Sequence, residues 1–167
     1  MAGEFMWEGM LMGRELRMPP KIKILEAAGS IADGRVSIVS DEGGRIIAKV
    51  VSSMGDRVYN VFIERVSGGL FRVYSNDNGT LLRGYIGYPI ISVLMVKGLL
   101  TRDIKVEDSL KGIPWKVLNE KFKSYDKVLE EVNRIVESRE GGSRASTLKT
   151  YMDTVYRELS RYKLVLS

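Results

Sequence analysis

The chain has 167 residues and a formal net charge of +5, and its 44% hydrophobic and 28% charged residues are the composition of a globular domain. It contains no cysteine and no histidine, which excludes thiol nucleophiles, histidine-based triads and zinc sites built from these side chains. We therefore expect a protein that is not an enzyme, that needs no cofactor or metal and takes no small-molecule substrate, and whose positive charge favours a polyanionic partner.

The first 18 residues stand apart from the rest of the sequence. Residues 1–5 are interpreted as a vector remnant ahead of a second start at Met6, and the methionine-rich stretch up to residue 18 as an N-terminal extension. The chain has no run of 18 apolar residues and no evident signal peptide, which predicts a cytoplasmic protein without a membrane segment. The absence of glutamine and the many Arg, Lys, Glu, Ile and Val residues are typical of a thermophile.

Residues 19–139 are predicted to form one α+β domain, in which a four-stranded antiparallel sheet packs with several helices. Strand-like runs at residues 35–39, 45–51, 57–66 and 70–74 are separated by short glycine-containing turns. Such turns join antiparallel neighbours. Apolar residues at helical spacing predict a helix before the sheet, ending at Gly34, and further helices after Pro89, after Pro114 and from about residue 126 to 139.

Basic and aromatic residues alternate along the predicted strands. Because successive side chains of a strand point to opposite faces, one face can collect Arg45, Lys49, Arg57, Arg72, Tyr59 and Tyr74. The acidic residues are expected in the turns or, for Glu64, on the other face. Cations that track phosphates and rings that stack on bases are what a single strand of nucleic acid requires. The alternative is a solvated face with scattered arginines.

Three further aromatic residues are candidates for the same site. Tyr85 and Tyr88 lie beside Arg83 in a glycine-containing link that could wrap a base, or the link could be a hinge whose tyrosines point inward. Trp115 lies at the start of an apolar helix face and could edge a binding cleft or pack in the core.

The C-terminal part of the chain has the spacing of a coiled coil. Residues 140–146, with two glycines, are predicted to be a linker, and residues 147–167 an oligomerisation helix. The positions that form its heptad seam are Leu148, Met152, Val155, Leu159, Tyr162 and Leu166. The alternative is a terminal helix that docks on its own domain.

Three segments resemble the ThermoDBP family of single-stranded-DNA-binding proteins from hyperthermophilic archaea. They are residues 75–80 (SNDNGT), 83–89 (RGYIGYP) and 111–115 (KGIPW), and the order of an α+β domain followed by a helix with leucine-zipper spacing is also similar. The resemblance implies a hydrophobic cleft edged by basic residues, binding with little sequence preference, and self-association through the last helix.

Together these patterns predict sequence-independent binding and protection of single-stranded DNA, with RNA as a possible ligand and a homodimer as the assembly. Two alternatives stay open. One is a protein that binds RNA or double-stranded DNA in chromatin, and the other is a protein-interaction module that uses the C-terminal heptad.

Overall fold

The computed structural model describes residues 13–167, so the predicted vector remnant and most of the predicted N-terminal extension lie outside the described residues. The helices are α1 (Ile22–Ala32), α2 (Tyr88–Val96), α3 (Ile104–Ser109), α4 (Trp115–Phe122), α5 (Tyr125–Ser138) and α6 (Ala145–Leu159), and a π-helix spans Gly79–Arg83. The strands are β1 (Val36–Glu42), β2 (Arg45–Val51), β3 (Val58–Ser67), β4 (Leu70–Ser75) and β5 (Lys163–Leu166). None of the helices in residues 13–167 has the length and apolar character needed to cross a bilayer.

The sheet has five strands in the order β1-β2-β3-β4-β5, so the prediction of a four-stranded antiparallel sheet is wrong. Strands β1 to β4 form an antiparallel meander, and β5 pairs with β4 in the parallel direction. The fifth strand comes from the segment that was predicted to end the heptad helix. That helix ends at Leu159, and the chain turns so that Leu164 lies beside Phe71 in the sheet.

One face of the sheet, the inner face, packs against α2, and α2 packs in turn against α1. Alternate residues of β2 point into this layer: Ile46, Ala48 and Val50 are buried, whereas Arg45, Ile47 and Lys49 are exposed. Helix α2 is apolar around most of its circumference because it lies between α1 and the sheet. Burial of each Val, Leu or Ile side chain in such a core contributes about 1.5–3 kcal/mol.

The predicted heptad seam lies in the core of the same domain. Leu148, Val155 and Leu159 are fully buried against the rest of the chain. The hydroxyl group of Tyr151, in the same helix, donates a hydrogen bond to the carbonyl of Thr101 at 2.8 Å. The prediction of an oligomerisation helix is corrected accordingly: an apolar seam can be covered by its own domain as well as by a second copy. Self-association through this seam would require α6 to leave the core.

The predicted seam also extends beyond the helix that carries most of it. Met152 is buried within α6, whereas Tyr162 follows the helix and Leu166 is part of β5. The ring of Tyr162 packs edge-on against Phe71, with the ring centroids 5.5 Å apart. These last two positions therefore stabilise the sheet edge.

The segment that was predicted as a flexible linker is held in place. The hydroxyl of Ser109 accepts a hydrogen bond from the backbone N–H of Ser143 at 2.9 Å, and the two serine hydroxyls lie 3.0 Å apart. A Cβ atom on Gly142 would lie 2.0 Å from the carbonyl oxygen of Val136. The two glycines permit a tight turn between α5 and α6, and residues 140–146 do not separate two domains.

Candidate nucleic-acid interface

A cleft of about 830 Å³ opens where the β2–β3 turn, the π-helix and the junction of α4 and α5 converge. We call it the tyrosine cleft, because four tyrosines line it together with five cationic and four acidic side chains. These side chains are Tyr59, Tyr85, Tyr88 and Tyr125; Lys23, Arg57, Arg83, Lys116 and Lys123; and Glu26, Asp56, Asp77 and Glu120. Serine, asparagine and glycine residues complete the lining.

The segment between β4 and α2 is fixed by the buried carboxylate of Asp77. This carboxylate accepts hydrogen bonds from the Ser75 hydroxyl at 2.6 Å and from the backbone N–H and the hydroxyl of Thr80 at 3.0 and 2.8 Å. A Cβ atom on Gly87 would lie 2.1 Å from this carboxylate, and one on Gly79 would lie 2.6 Å from the ring of Tyr85. Two glycines therefore let the backbone approach closely enough to hold Tyr85 in the wall of the cleft.

The four rings form two pairs. Tyr59 and Tyr88 meet edge to face, with ring centroids 6.0 Å apart, and the hydroxyl groups of Tyr85 and Tyr125 lie 3.4 Å apart. Tyr85 is buried, whereas Tyr125 is 37% exposed and has the Lys23 ammonium 5.5 Å from its ring centroid. Tyr125 is therefore the ring with the most surface on which a base could stack.

Two cations of the cleft are paired with carboxylates. The ammonium of Lys23 lies 2.8 Å from Glu26, and that of Lys116 lies 2.8 Å from Asp56. Burial acts to lower the pKa of Lys23, but the adjacent Glu26 carboxylate outweighs this effect, and the pKa is raised. In the described part of the chain, no three carboxylates lie close enough together to hold a metal ion.

The other three cations, Arg57, Arg83 and Lys123, form no ion pair within residues 13–167. All three are exposed to solvent at the cleft. Lys123 follows α4 and has a φ of 52°, the left-handed conformation that favours glycine. A lysine in this conformation costs about 1–2 kcal/mol relative to ordinary backbone. Its side chain is aimed at the cleft from the α4–α5 junction.

Five of the sequence-predicted site residues line the tyrosine cleft. They are Arg57, Tyr59, Arg83, Tyr85 and Tyr88. Arg57 directly precedes β3, and Tyr59 lies at the start of this strand. Arg83 ends the π-helix, Tyr85 lies in the link that follows it, and Tyr88 begins α2. The link approaches the start of β3 because β4 runs back alongside β3 and delivers the chain to that end of the sheet.

Four other predicted residues, Arg45, Lys49, Arg72 and Tyr74, lie on the opposite side of the sheet. The register pairs Lys49 of β2 with Asn60, so that even-numbered residues of β3 share the face of Lys49 and odd-numbered ones share the core face. The alternation of side chains along β3 does not by itself determine whether the odd-numbered or the even-numbered residues face the core. Val61 and Ile63 take these positions, and the predicted single basic face is therefore divided between two surfaces.

Glu64 also lies on the face of Arg45 and Arg72, contrary to the sequence-based expectation. Its carboxylate accepts a hydrogen bond from each of these two arginines. The hydrogen bond from Arg45 and then that from Arg72 lower the pKa of Glu64 below its ordinary value. Much of the charge of the two arginines is thus balanced within the sheet.

Trp115 is 1% exposed, so the expectation that it edges a binding cleft is wrong. Its ring lies at the start of α4 against α1, where a Cβ atom on Gly29 would come within 2.9 Å of the indole nitrogen. The glycine makes room for the indole in the core.

Among the basic and aromatic residues that line the cleft, four were not selected from the sequence: Lys23, Lys116, Lys123 and Tyr125. In the sequence, Tyr125 continues the helical spacing of the apolar residues of α4. This spacing predicts one continuous helix up to Tyr125. The helix ends at Phe122 instead, and the Ser124 hydroxyl accepts a hydrogen bond from the backbone N–H of Lys127 to begin α5. A serine followed by an acidic residue in the first helical turn, Asp126, is the sequence signal for this break.

We expect the affinity of the cleft for a short oligonucleotide to stay constant between about pH 6 and about pH 9 at fixed ionic strength. The chain has no histidine, burial raises the pKa of Tyr59, Tyr85 and Tyr88, and the pKa of Lys23 is also raised. The rings of Tyr59, Tyr85 and Tyr88 therefore remain neutral and Lys23 remains charged. Fluorescence titrations at several pH values check this, and an affinity change above about tenfold would contradict it.

A model of the family described as Uncharacterised conserved protein UCP014422 matches residues 16–165. No curated protein and no solved structure matches the chain.

Proposed function

The chain belongs to the family of the uncharacterised conserved protein UCP014422, and we propose that its tyrosine cleft binds single-stranded nucleic acid. The observation that carries the proposal is the convergence on one cleft, from separate elements, of four tyrosines and of three cations that have no ion-pair partner among residues 13–167. Rings stack on the face that every base has, and cations follow the phosphates, so we expect little preference for sequence. The resemblance to the ThermoDBP family favours the same proposal.

A single strand fits this cleft better than a duplex does, because the bases of a duplex are stacked inside and cannot reach the rings. Tyr125, the most exposed ring, lies beside Tyr85 and below the Lys23 ammonium. An unstacked base could cover this ring while its phosphate meets Lys123, two residues earlier in the chain. The acidic residue Glu120 also lines the cleft and would repel a phosphate. We therefore expect the phosphates to lie beside Arg57, Arg83 and Lys123 rather than beside this carboxylate.

The test is a fluorescence-anisotropy titration of the protein into labelled oligonucleotides at one fixed salt concentration. Single-stranded DNA, RNA of the same length and the corresponding duplex are compared. We expect the single strands to bind more tightly than the duplex. Tighter binding of the duplex would favour a chromatin protein, and no salt-sensitive binding of any of the three would favour a protein-interaction module.

We expect the logarithm of the affinity to fall with the logarithm of the salt concentration with a slope of about −2, if three phosphates are contacted by Arg57, Arg83 and Lys123. Replacing Arg57 with Gln removes one contact and should reduce the slope by about 0.7. Arg161→Gln is the matched control, because Arg161 is exposed outside the cleft and forms no ion pair within residues 13–167. An equal loss of slope in both variants would show that the salt effect is not specific to the cleft.

A further inference from the structure

The face of the sheet opposite α1 and α2, which we call the outer face, carries an apolar row between charged rows. The register places Ile47, Phe62 and Tyr74 side by side across β2, β3 and β4. Ile47 is 45% exposed and Tyr74 is 36% exposed, and Val58, nearer the end of β3, is 48% exposed. Large apolar side chains that share one exposed face indicate an interaction surface.

The charges that flank this row have an excess of cations. On one side lie Glu42, Arg45, Glu64 and Arg72, whose charges balance, and on the other lies the cation Lys49, opposite Asn60. The carboxylate of Glu64 is shared between two arginines, and Lys49 forms no ion pair within residues 13–167. Two rings beside Lys49 on an antiparallel sheet suit bases that flank a phosphate, whereas a purely apolar partner would leave this lysine without a counter-charge.

The outer face and the tyrosine cleft meet at the same end of the sheet. The turn between β2 and β3 contributes Ser52, Asp56 and Arg57 to the cleft, and Lys49 lies three residues before Ser52 on the outer face. At about 3.3 Å per residue, the row of Phe62 lies roughly 17 Å along β3 from Arg57. A strand that leaves the cleft at this turn therefore reaches Lys49 first and the rings next.

We propose that the outer face is a second contact surface for the same strand of nucleic acid, which occupies the tyrosine cleft first and then crosses the β2–β3 turn. This inference rests on the proposed function of the cleft. In this arrangement Phe62 and Tyr74 stack on bases, and Lys49 with the exposed side of Arg45 contacts phosphates. The cleft alone then sets the affinity for short strands, and both surfaces set the affinity for long ones.

The test uses oligothymidylates of about 5 and about 16 nucleotides and the double variant Lys49→Ala, Tyr74→Ala. We expect the affinity for the long strand to fall about tenfold and that for the short strand to stay unchanged, which also shows that the variant is folded. The matched control is the double variant Lys149→Ala, Tyr156→Ala, which removes the same residue types from α6. The variant Tyr74→Trp, which keeps a ring, should retain the affinity for the long strand.

Equal affinities of the wild type and the outer-face double variant for the long strand would overturn the inference while leaving the cleft intact. Analytical ultracentrifugation at the protein concentrations of the titration tests whether a second copy of the chain, and not nucleic acid, occupies the outer face. A wild-type dimer that the double variant converts to a monomer, with no change in long-strand affinity, would assign the outer face to a second copy of the chain and would also overturn the inference. If neither strand binds to the wild type, the proposed function itself fails.

Discussion

A chain that ends at Gly142 should fail to fold. The deletion removes α6 and β5, and with them the fully buried side chains of Leu148, Val155 and Leu159 and the almost fully buried Leu164. Loss of one such leucine side chain costs about 2–5 kcal/mol, and an entire domain is stabilised by only about 5–15 kcal/mol. Circular dichroism of the truncated chain should therefore show no cooperative thermal transition.

If the truncated chain is insoluble, a point substitution in the full chain can test instead whether α6 is part of the core. Leu159→Ala should lower the free energy of unfolding by about 3 kcal/mol and the Tm by roughly 6–12 °C. Because the seam is covered by its own domain, the loss should not depend on protein concentration. Leu82→Ala is the control, since Leu82 is 76% exposed and its removal should change the Tm little. A folded, monomeric truncated chain would contradict the placement of α6 in the core.

Replacing Tyr125 with Ala should weaken the binding of short single strands by about 10- to 100-fold, since stacking on a ring contributes about 1–3 kcal/mol per base. The side chain of Tyr125 is 37% exposed, and its loss should affect stability much less than that of a core residue. Tyr125→Phe removes the hydroxyl contact to Tyr85 but keeps the ring, and should retain most of the affinity.

Tyr156→Ala is the matched control for the Tyr125 prediction. Both tyrosines lie on helices, and both have a lysine ammonium near the ring: Lys23 at 5.5 Å from the centroid of Tyr125 and Lys21 at 5.2 Å from that of Tyr156. Only Tyr125 lines the cleft. Equal effects of the two substitutions on affinity would show that neither ring stacks on a base.

The strands β1 to β4 could be located from the sequence because local signals define them. Alternating apolar residues and turns such as Gly43-Gly44 and Gly68-Gly69 bound each strand, and residues 45–51 are predicted and found as one strand. The fifth strand is specified by pairing between residues more than 90 positions apart, such as Phe71 and Leu164, for which a single sequence carries no local signal. The heptad spacing of α6 likewise indicates that one side of the helix is apolar, but it does not indicate whether the same domain or a second copy covers that side.

The candidate site was predicted in part for a related physical reason. The segment that contains Arg83, Tyr85 and Tyr88 can be recognised in the sequence, because glycines and aromatic residues occur together within a few positions. Lys23 and Lys123 reach the same cleft from distant helices, and nothing in their local sequence distinguishes them from solvated lysines. The division of the basic strand residues between two surfaces depended on the register of β3, which a one-residue shift would have reversed.

The measurement that tests the account most directly is an NMR titration of the isotope-labelled full chain with an oligothymidylate of about five nucleotides. It reports at once whether a single strand binds and where. We predict chemical-shift changes concentrated at Arg57, Tyr59, Arg83, Lys123 and Tyr125, with few changes on α6. Spectra that do not change at saturating oligonucleotide, or changes confined to residues outside the tyrosine cleft, would contradict the account.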